Sequence, residues 1–246
     1  MQQAAWFESW FNSPYYHRLY QDRDDSEAQA FIKAITDHLR LAPASRILDL
    51  ACGKGRHSIC LAELGFDVLG IDIAPENILF AKQFERNQLA FAVHDMREPI
   101  QDCVFDVVLN LFTSFGYFDS DTEHQAALHT MSQALDEHGV LVIDYLNSRW
   151  VTQQLVAEEQ RIIDDAQYTI RRWEDAHHYY KEIEIQIASR PTPLQFQEKV
   201  AKFELADFQR MLKIEGLRIR ELFGDYQLRP YDAAQSPRLI LVAERV

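Results

Sequence analysis

Asp49 and Asp72 are the residues from which chemistry is first read. Each closes an apolar run, 46–50 and 66–71, and Asp72 stands 23 positions beyond Asp49. A strand, a crossover helix and a second strand fill that spacing, which brings both carboxylates to the same edge of one βαβ unit. After Asp49 the chain runs Ala51-Cys52-Gly53-Lys54-Gly55-Arg56-His57, a glycine-containing turn in which backbone can approach a ligand closely. An acid that accepts from hydroxyls, set beside such a turn, suits a nucleoside.

The turn departs from the dinucleotide fingerprint, because Ser58 stands where the third glycine of GxGxxG belongs, and this weakens an NAD-linked oxidoreductase. Asp49-x-Ala51-x-Gly53-x-Gly55 is the better description. Two further stations follow in chain order: His94-Asp95-Met96-Arg97 after a third apolar run, and Asn110-Leu111-Phe112-Thr113-Ser114-Phe115 after a fourth.

In that order these stations resemble those of class I S-adenosylmethionine-dependent methyltransferases, with the turn at Asp49, Ala51, Gly53 and Gly55 as the family's first motif. The resemblance implies that Asp72, with Ile73 beside it, binds the ribose hydroxyls. It further implies that Asp95 accepts from the adenine amine while Met96 faces the ring, and that Asn110, Leu111 and Phe112 line the methionine side. An aromatic run there suits a sulfonium cation in a site that excludes water. The implied cofactor is S-adenosyl-L-methionine, with S-adenosyl-L-homocysteine as product. The fourth run is followed by neither Asp/Asn-Pro-Pro-Tyr nor Pro-Cys, so the family's adenine-amino and pyrimidine-C5 methyltransferases are not resembled. Asn110 stands where metal-dependent catechol methyltransferases place acids, so no metal is expected.

The amino-terminal segment and a later insertion resemble those of small-molecule methyltransferases, including amino-sugar N-methyltransferases. That likeness offers Tyr15, Tyr16 and Tyr20 to the methionine carboxylate, with Arg23 as its ion-pair partner; a helix simply packed on the sheet is the alternative. Arg56 and His57 are read as structural or solvated. No catalytic base is identified; His177, His178 and Tyr179, in the insertion where an acceptor would be met, are the candidates. The implied reaction moves a methyl group to an amine or hydroxyl of a small molecule. The alternative is a non-catalytic protein that binds the cofactor or its product, as a sensor or partner subunit.

The elements that must position these residues are legible in the periodicity. Aromatics spaced by three and four over 7–20 predict a short helix interrupted at Pro14, and Ser26 is the expected N-cap of a second helix over 26–41. Strands are expected at 46–50, 66–71, 89–93, 105–109 and 139–145, with helices at 56–64, 74–87 and 121–135, the last closing near His138-Gly139. This is the alternation of a parallel sheet wound with helices on both faces. Over 161–203 the apolar period changes to two, as in Glu182-Ile183-Glu184-Ile185-Gln186-Ile187. That period predicts an inserted antiparallel sheet with strands at 161–172, 178–188 and 195–203. A helix at 205–215, with Gly216 past its end, and strands at 217–223 and 238–243 return to the parent sheet.

The expected fold is therefore α/β, a Rossmann-like, seven-stranded, mostly parallel sheet with an inserted antiparallel sheet. Within one domain, 1–41 is a helical cover, 42–148 the cofactor-binding core, 149–203 the lid and 204–246 the completion of the core sheet. The chain has 246 residues, 47% hydrophobic and 26% charged, the balance of a globular protein. No apolar run approaches the ~20 residues of a membrane span. A net charge of −13 opposes docking on nucleic acid and favours a small or cationic substrate. No basic and apolar leader opens the sequence, so a cytoplasmic location is expected. Three cysteines without CxxC spacing predict buried thiols rather than disulfides or zinc ligands. Monomer and homodimer are equally open.

Overall fold

The structure, a computed structural model, describes residues 6–20, 25–101 and 104–246; Arg23 and Cys103 lie outside them. The amino-terminal segment forms α1 (Trp6–Phe11) and α2 (Pro14–Leu19). The break falls where Pro14 starts a new helix, and the Ser13 hydroxyl accepts from the Tyr15 N–H at 3.2 Å. The next helix, α3 (Asp25–Leu39), already includes Ser26, so Ser26 is not its N-cap. Phe31, Ile32 and Ile35 are fully buried on its inner face.

The parallel core follows as β1 (Arg46–Leu50), α4 (Arg56–Glu63), β2 (Asp67–Asp72), α5 (Pro75–Ala81), β3 (Leu89–Val93), β4 (Phe105–Asn110), α6 (Asp121–Gln133) and β5 (Leu135–Leu146). β1 pairs in parallel with β2 and with β4, β2 with β3, and β4 with β5. Ile47, Leu48, Leu50, Val107, Val108 and Leu109 are each no more than 1% exposed, as in strands covered on both faces. The expected helix at 74–87 is shorter: a single 3₁₀ turn (Lys82–Phe84) follows α5, and Glu85 leaves helical geometry to accept the Phe91 N–H at 2.9 Å. Likewise α6 stops at Gln133 instead of running through 135. Leu135 pairs with Phe105, and the extra residues before Val140 are absorbed in a register jump between Phe105 and Val107, the local disruption that a bulge makes.

After β5 a short helix absent from the sequence reading, α7 (Ser148–Gln154), leads into a separate antiparallel sheet of β6 (Glu158–Ile163), β7 (Ala166–Glu174), β8 (His178–Ile187) and β9 (Leu194–Ala201). It has four strands, not three. The run read as one strand at 161–172 folds back at Asp164, whose positive φ of 53° makes a tight turn without glycine or proline. Asp is among the few residues that tolerate this region. Then α8 (Leu205–Ile214), β10 (Leu217–Phe223) and β11 (Arg238–Arg245) complete the large sheet in the order β10-β11-β5-β4-β1-β2-β3, with β11 antiparallel to both neighbours. Among the described residues no helix is long and apolar enough to cross a membrane.

Strand order reverses between β1 and β4, and a crevice opens at their carboxyl ends. The helices α1 and α2 lie over it beneath the inserted sheet: Trp10 and Leu19 are buried against Tyr168, Ile170, Ile183 and Ile185. Trp10 meets the Phe196 ring at 4.5 Å. The cover is thus held from above by the lid and faces the crevice below.

Candidate functional site

The crevice holds a cavity of about 590 Å³, a size suited to a small molecule. Its β1 wall is the turn after Asp49. Ala51, Gly53 and Gly55 have φ of 67°, 58° and 84°, so three left-handed residues within five turn the chain sharply into α4. Gly53 has open space where a Cβ would stand, and its N–H donates to Asp72 Oδ2 at 2.9 Å. Gly55 does not line the cavity. A Cβ there would lie 2.7 Å from two ring carbons of Phe91, so its glycine serves strand-to-helix packing and the left-handed turn. Gly55→Ala is expected to destabilise the fold by about 2–4 kcal/mol through positive φ and overpacking. Urea denaturation checks this, and shortening the facing ring with Phe91→Leu should recover part of the loss.

Asp72 is buried, and its two oxygens accept the backbone N–H groups of Gly53 and Ala74, the latter at 2.8 Å. Burial raises its carboxyl above the ordinary value against these bonds, since desolvation disfavours the charged form. Asn77, in the first turn of α5, is 3% exposed, lines the same wall, and its Oδ1 has no hydrogen-bond partner. Asp49 accepts the Ser58 hydroxyl at 2.6 Å, and burial pushes it up to about 6, with the charge of Asp72 adding to the rise.

At the β3 end Asp95, Met96 and Ile73 line the cavity. Burial raises the Asp95 carboxyl, yet the bonds from Arg97, one at 2.6 Å, prevail and hold it below its usual value. Arg97 also reaches Glu123 at 2.6 Å and thereby ties the β3 loop to α6. The role of Arg97 lies outside the sequence reading, although its position beside Asp95 is a local signal for it.

The β4 end departs from expectation. Leu111 and Phe112 line the cavity, whereas Asn110 is fully buried behind it, donating to the Leu50 carbonyl at 3.1 Å. As the last residue of β4 it bridges to β1 inside the sheet, which keeps its side chain from the cavity. Phe112 and Thr113 both have positive φ, 57° and 58°, a conformation L-residues keep only when held. What holds them is Asp144 of β5. Its Oδ2 accepts the Phe112 N–H at 2.8 Å and the Tyr226 hydroxyl at 3.1 Å, and its carbonyl accepts the Thr113 N–H at 2.9 Å. Arg238 of β11 donates to Asp144 Oδ1 at 2.7 Å and to the Thr113 hydroxyl at 2.8 Å. The Phe112 ring is stacked on Tyr226, with centroids 5.0 Å apart, and carries the Arg56 guanidinium at 5.0 Å, a cation held over a ring face.

From the cover, Phe7, Phe11, Tyr16, His17 and Tyr20 reach the cavity; Tyr15 does not, and Arg23 lies outside the described residues. His17 carries no signal of its own in the sequence. Burial, with Lys54 beside it, lowers it to about 4, so it is neutral at physiological pH. The candidates in the insertion are elsewhere. His177 sits in the β7–β8 turn, where its N–H and that of His178 both donate to Asp175 at 2.7 Å. The Tyr179 hydroxyl donates to the Ser148 carbonyl at 2.6 Å and lines a different cavity. Period-two alternation identifies β8 as a strand but not which end of it approaches the crevice.

Comparison with known proteins places these observations in context. The family described as "Methyltransferase domain" matches residues 41–189. A glycine/sarcosine N-methyltransferase of Aphanothece halophytica is 34% identical over 130 residues, which is 51% of this chain and 48% of that enzyme. The chain therefore spans about half the length of that relative. The dTDP-3-amino-3,4,6-trideoxy-alpha-D-glucopyranose N,N-dimethyltransferase of Streptomyces venezuelae is 23% identical over 194 residues, 75% of this chain and 80% of the relative. A solved S-adenosylmethionine-dependent methyltransferase from Clostridium acetobutylicum superposes with a TM-score of 0.78 at 19% identity, covering 94% of this chain and 96% of that one. At that identity the superposition speaks for the fold.

Proposed function

Because the chain belongs to the methyltransferase domain family, we propose that it transfers the methyl group of S-adenosylmethionine to an amine or hydroxyl of a small molecule, leaving S-adenosylhomocysteine. The observation that carries this reading is the wall formed by Asp72 and Asn77. A buried carboxylate anchored on two backbone N–H groups stands beside an amide oxygen that has no partner, and a pair of ribose hydroxyls would supply the missing donors. The two relatives methylate, by their names, glycine or sarcosine and an amino sugar, which supports an amine as acceptor.

S-adenosylmethionine, when bound, supplies a sulfonium methyl open to in-line displacement. This chain's residues orient it and keep water away. Asp72 and Asn77 would hold the ribose, and Asp95, Met96 and Ile73 would face the adenine. The Ala51–Gly53 turn, Asp49, Tyr16 and Tyr20 would meet the amino-acid tail. Leu111, Phe112 and Tyr117 would wall the methyl side, with ring faces that attract a cation. Calorimetry with S-adenosylmethionine, S-adenosylhomocysteine and NAD tests the reading: the first two should bind and NAD should not, and the converse would sink it. A radiolabelled-methyl screen against a metabolite extract then names the acceptor. A blank screen with normal cofactor binding would favour a sensor or partner subunit.

Asp49 gives this reading a pH signature. Its folded value of about 6 lies above the unfolded 3.8. The native state therefore holds more proton between them, and stability falls as pH rises through that window. A cationic amino group at this wall favours the ionised form. S-adenosylhomocysteine affinity should therefore drop as pH is lowered through about 6, and in Asp49→Asn that slope should flatten. An identical pH profile in the variant would remove Asp49 from the tail site.

A further inference from the structure

On the face of the lid that carries Ile170 and Ile183, three charged residues stand side by side in one row. Arg172 of β7 stands opposite Lys181 of β8, and Lys181 opposite Glu198 of β9. Two residues along each strand, and so on the same face, the neighbouring row is Ile170, Ile183 and Phe196. Glu159 of β6, opposite Ile170 in that neighbouring row, reaches diagonally to Arg172 with its carboxylate 2.7 Å away, and Lys181 lies 3.6 Å from Glu198. All four are mostly buried. A lid whose only task was to cover the sheet could carry apolar residues here as it does at Ile170, Ile183 and Phe196, because replacing buried ion pairs by apolar groups is often neutral or stabilising.

These charges border a second cavity of about 370 Å³, closed on its other side by Trp150, Val151 and Gln154 of α7. One end of the row is hydrogen-bonded to a residue that lines the first cavity. The Tyr20 hydroxyl donates to Glu198 Oε1 at 2.7 Å and receives Lys181 Nζ, while Tyr20 itself lines the crevice over β1 and β4. Trp10 Nε1 also donates to Glu198, at 2.8 Å. The row therefore runs from the cofactor side, at Glu198, outward to Arg172 along the floor of the second cavity.

Resting on the methyl-donor reading of the first cavity, we propose that this row is the acceptor's recognition surface and that the acceptor carries an anionic group, a phosphate or a carboxylate. The anion meets Arg172, whose planar fork matches both groups, at the outer end, with Lys181 adding charge beside it. The rest of the acceptor lies toward Glu198, which the Tyr20 hydroxyl joins to the lining of the first cavity. Glu159, which holds the guanidinium at 2.7 Å, gives it up when the acceptor's anion arrives.

The test uses the full chain saturated with S-adenosylhomocysteine, titrated calorimetrically with inorganic phosphate and, separately, with acetate. Saturable binding of either is expected, and which of them binds more tightly distinguishes a phosphate from a carboxylate acceptor. Arg172→Met should weaken that binding at least tenfold while leaving S-adenosylhomocysteine affinity within twofold, which also reports that the variant is folded. Arg172→Lys, which keeps the charge and loses the fork, should fall between. If neither anion binds the loaded protein, or if binding survives Arg172→Met, the proposal is overturned. Failure of S-adenosylhomocysteine to bind at all would appear before any anion is added and would overturn the donor reading with it.

Discussion

Arg238→Met should lower the stability of the protein by about 3–5 kcal/mol, because it strands a buried carboxylate without its counter-charge. That carboxylate is Asp144, fully buried beside Arg238. For a chain of this size the loss corresponds to a fall in Tm on the order of 10 °C, measurable by calorimetry. Burial alone would lower the Arg238 guanidinium, but the charge of Asp144 outweighs it and holds the group above its usual value, as in a tight pair. Removing both charges separates packing from positioning. Asp144→Leu/Arg238→Met should regain much of the stability, since two apolar side chains replace a desolvated pair. It should not regain S-adenosylhomocysteine affinity, because the Phe112 N–H loses its acceptor and the left-handed Phe112-Thr113 step loses its restraint. Full recovery of both properties in the double variant would show that Asp144 and Arg238 matter to the sheet and not to the cavity wall.

Asp72→Ala is expected to weaken S-adenosylhomocysteine binding by ~1.5–3 kcal/mol, roughly tenfold to somewhat over a hundredfold, through loss of charge-assisted bonds to the ribose. The carboxylate also organises the apo site, since Gly53 and Ala74 both donate to it. The alanine variant would thus remove the proposed ligand contact and loosen the turn together. Asp72→Asn distinguishes these effects: it keeps one acceptor oxygen for the turn and gives up the negative charge. An intermediate loss is the expected result, read by calorimetry alongside denaturation midpoints. Wild-type affinity in Asp72→Ala would mean that the ribose does not lie on this wall.

The parts of the site legible in the sequence are those whose function and local geometry share one stretch of chain. Asp49 and Asp72 end apolar runs, and a carboxylate followed by a chain break is visible without any partner. Leu111 and Phe112 follow β4 directly, so their place at its end is visible in the chain. Asn110, one residue earlier, turns inward instead, because it still belongs to the strand. Asp144 and Arg238 are illegible for a different reason. They lie 94 residues apart, and only the antiparallel register of β5 with β11 brings them together under the Phe112 loop. The lid shows the same limit on a smaller scale. Alternation announces strands, but the charged residues of β7, β8 and β9 align into one row only when the register is known, and the Asp164 turn is invisible because it uses neither glycine nor proline. Asn77 reads as one more residue in the first turn of a helix until the structure shows its amide oxygen unpaired beside Asp72.

The Arg238 hydrogen bond to Thr113 joins residues 125 positions apart. During synthesis, the ribosome makes the Asp49 turn, Asp72 and the whole β4 loop long before β11 exists. A nascent chain that has not reached β11 therefore carries the Asp49 turn, Asp72 and the Phe112 loop but not the anchor of that loop. The Phe112 wall is anchored only once β11 has been made.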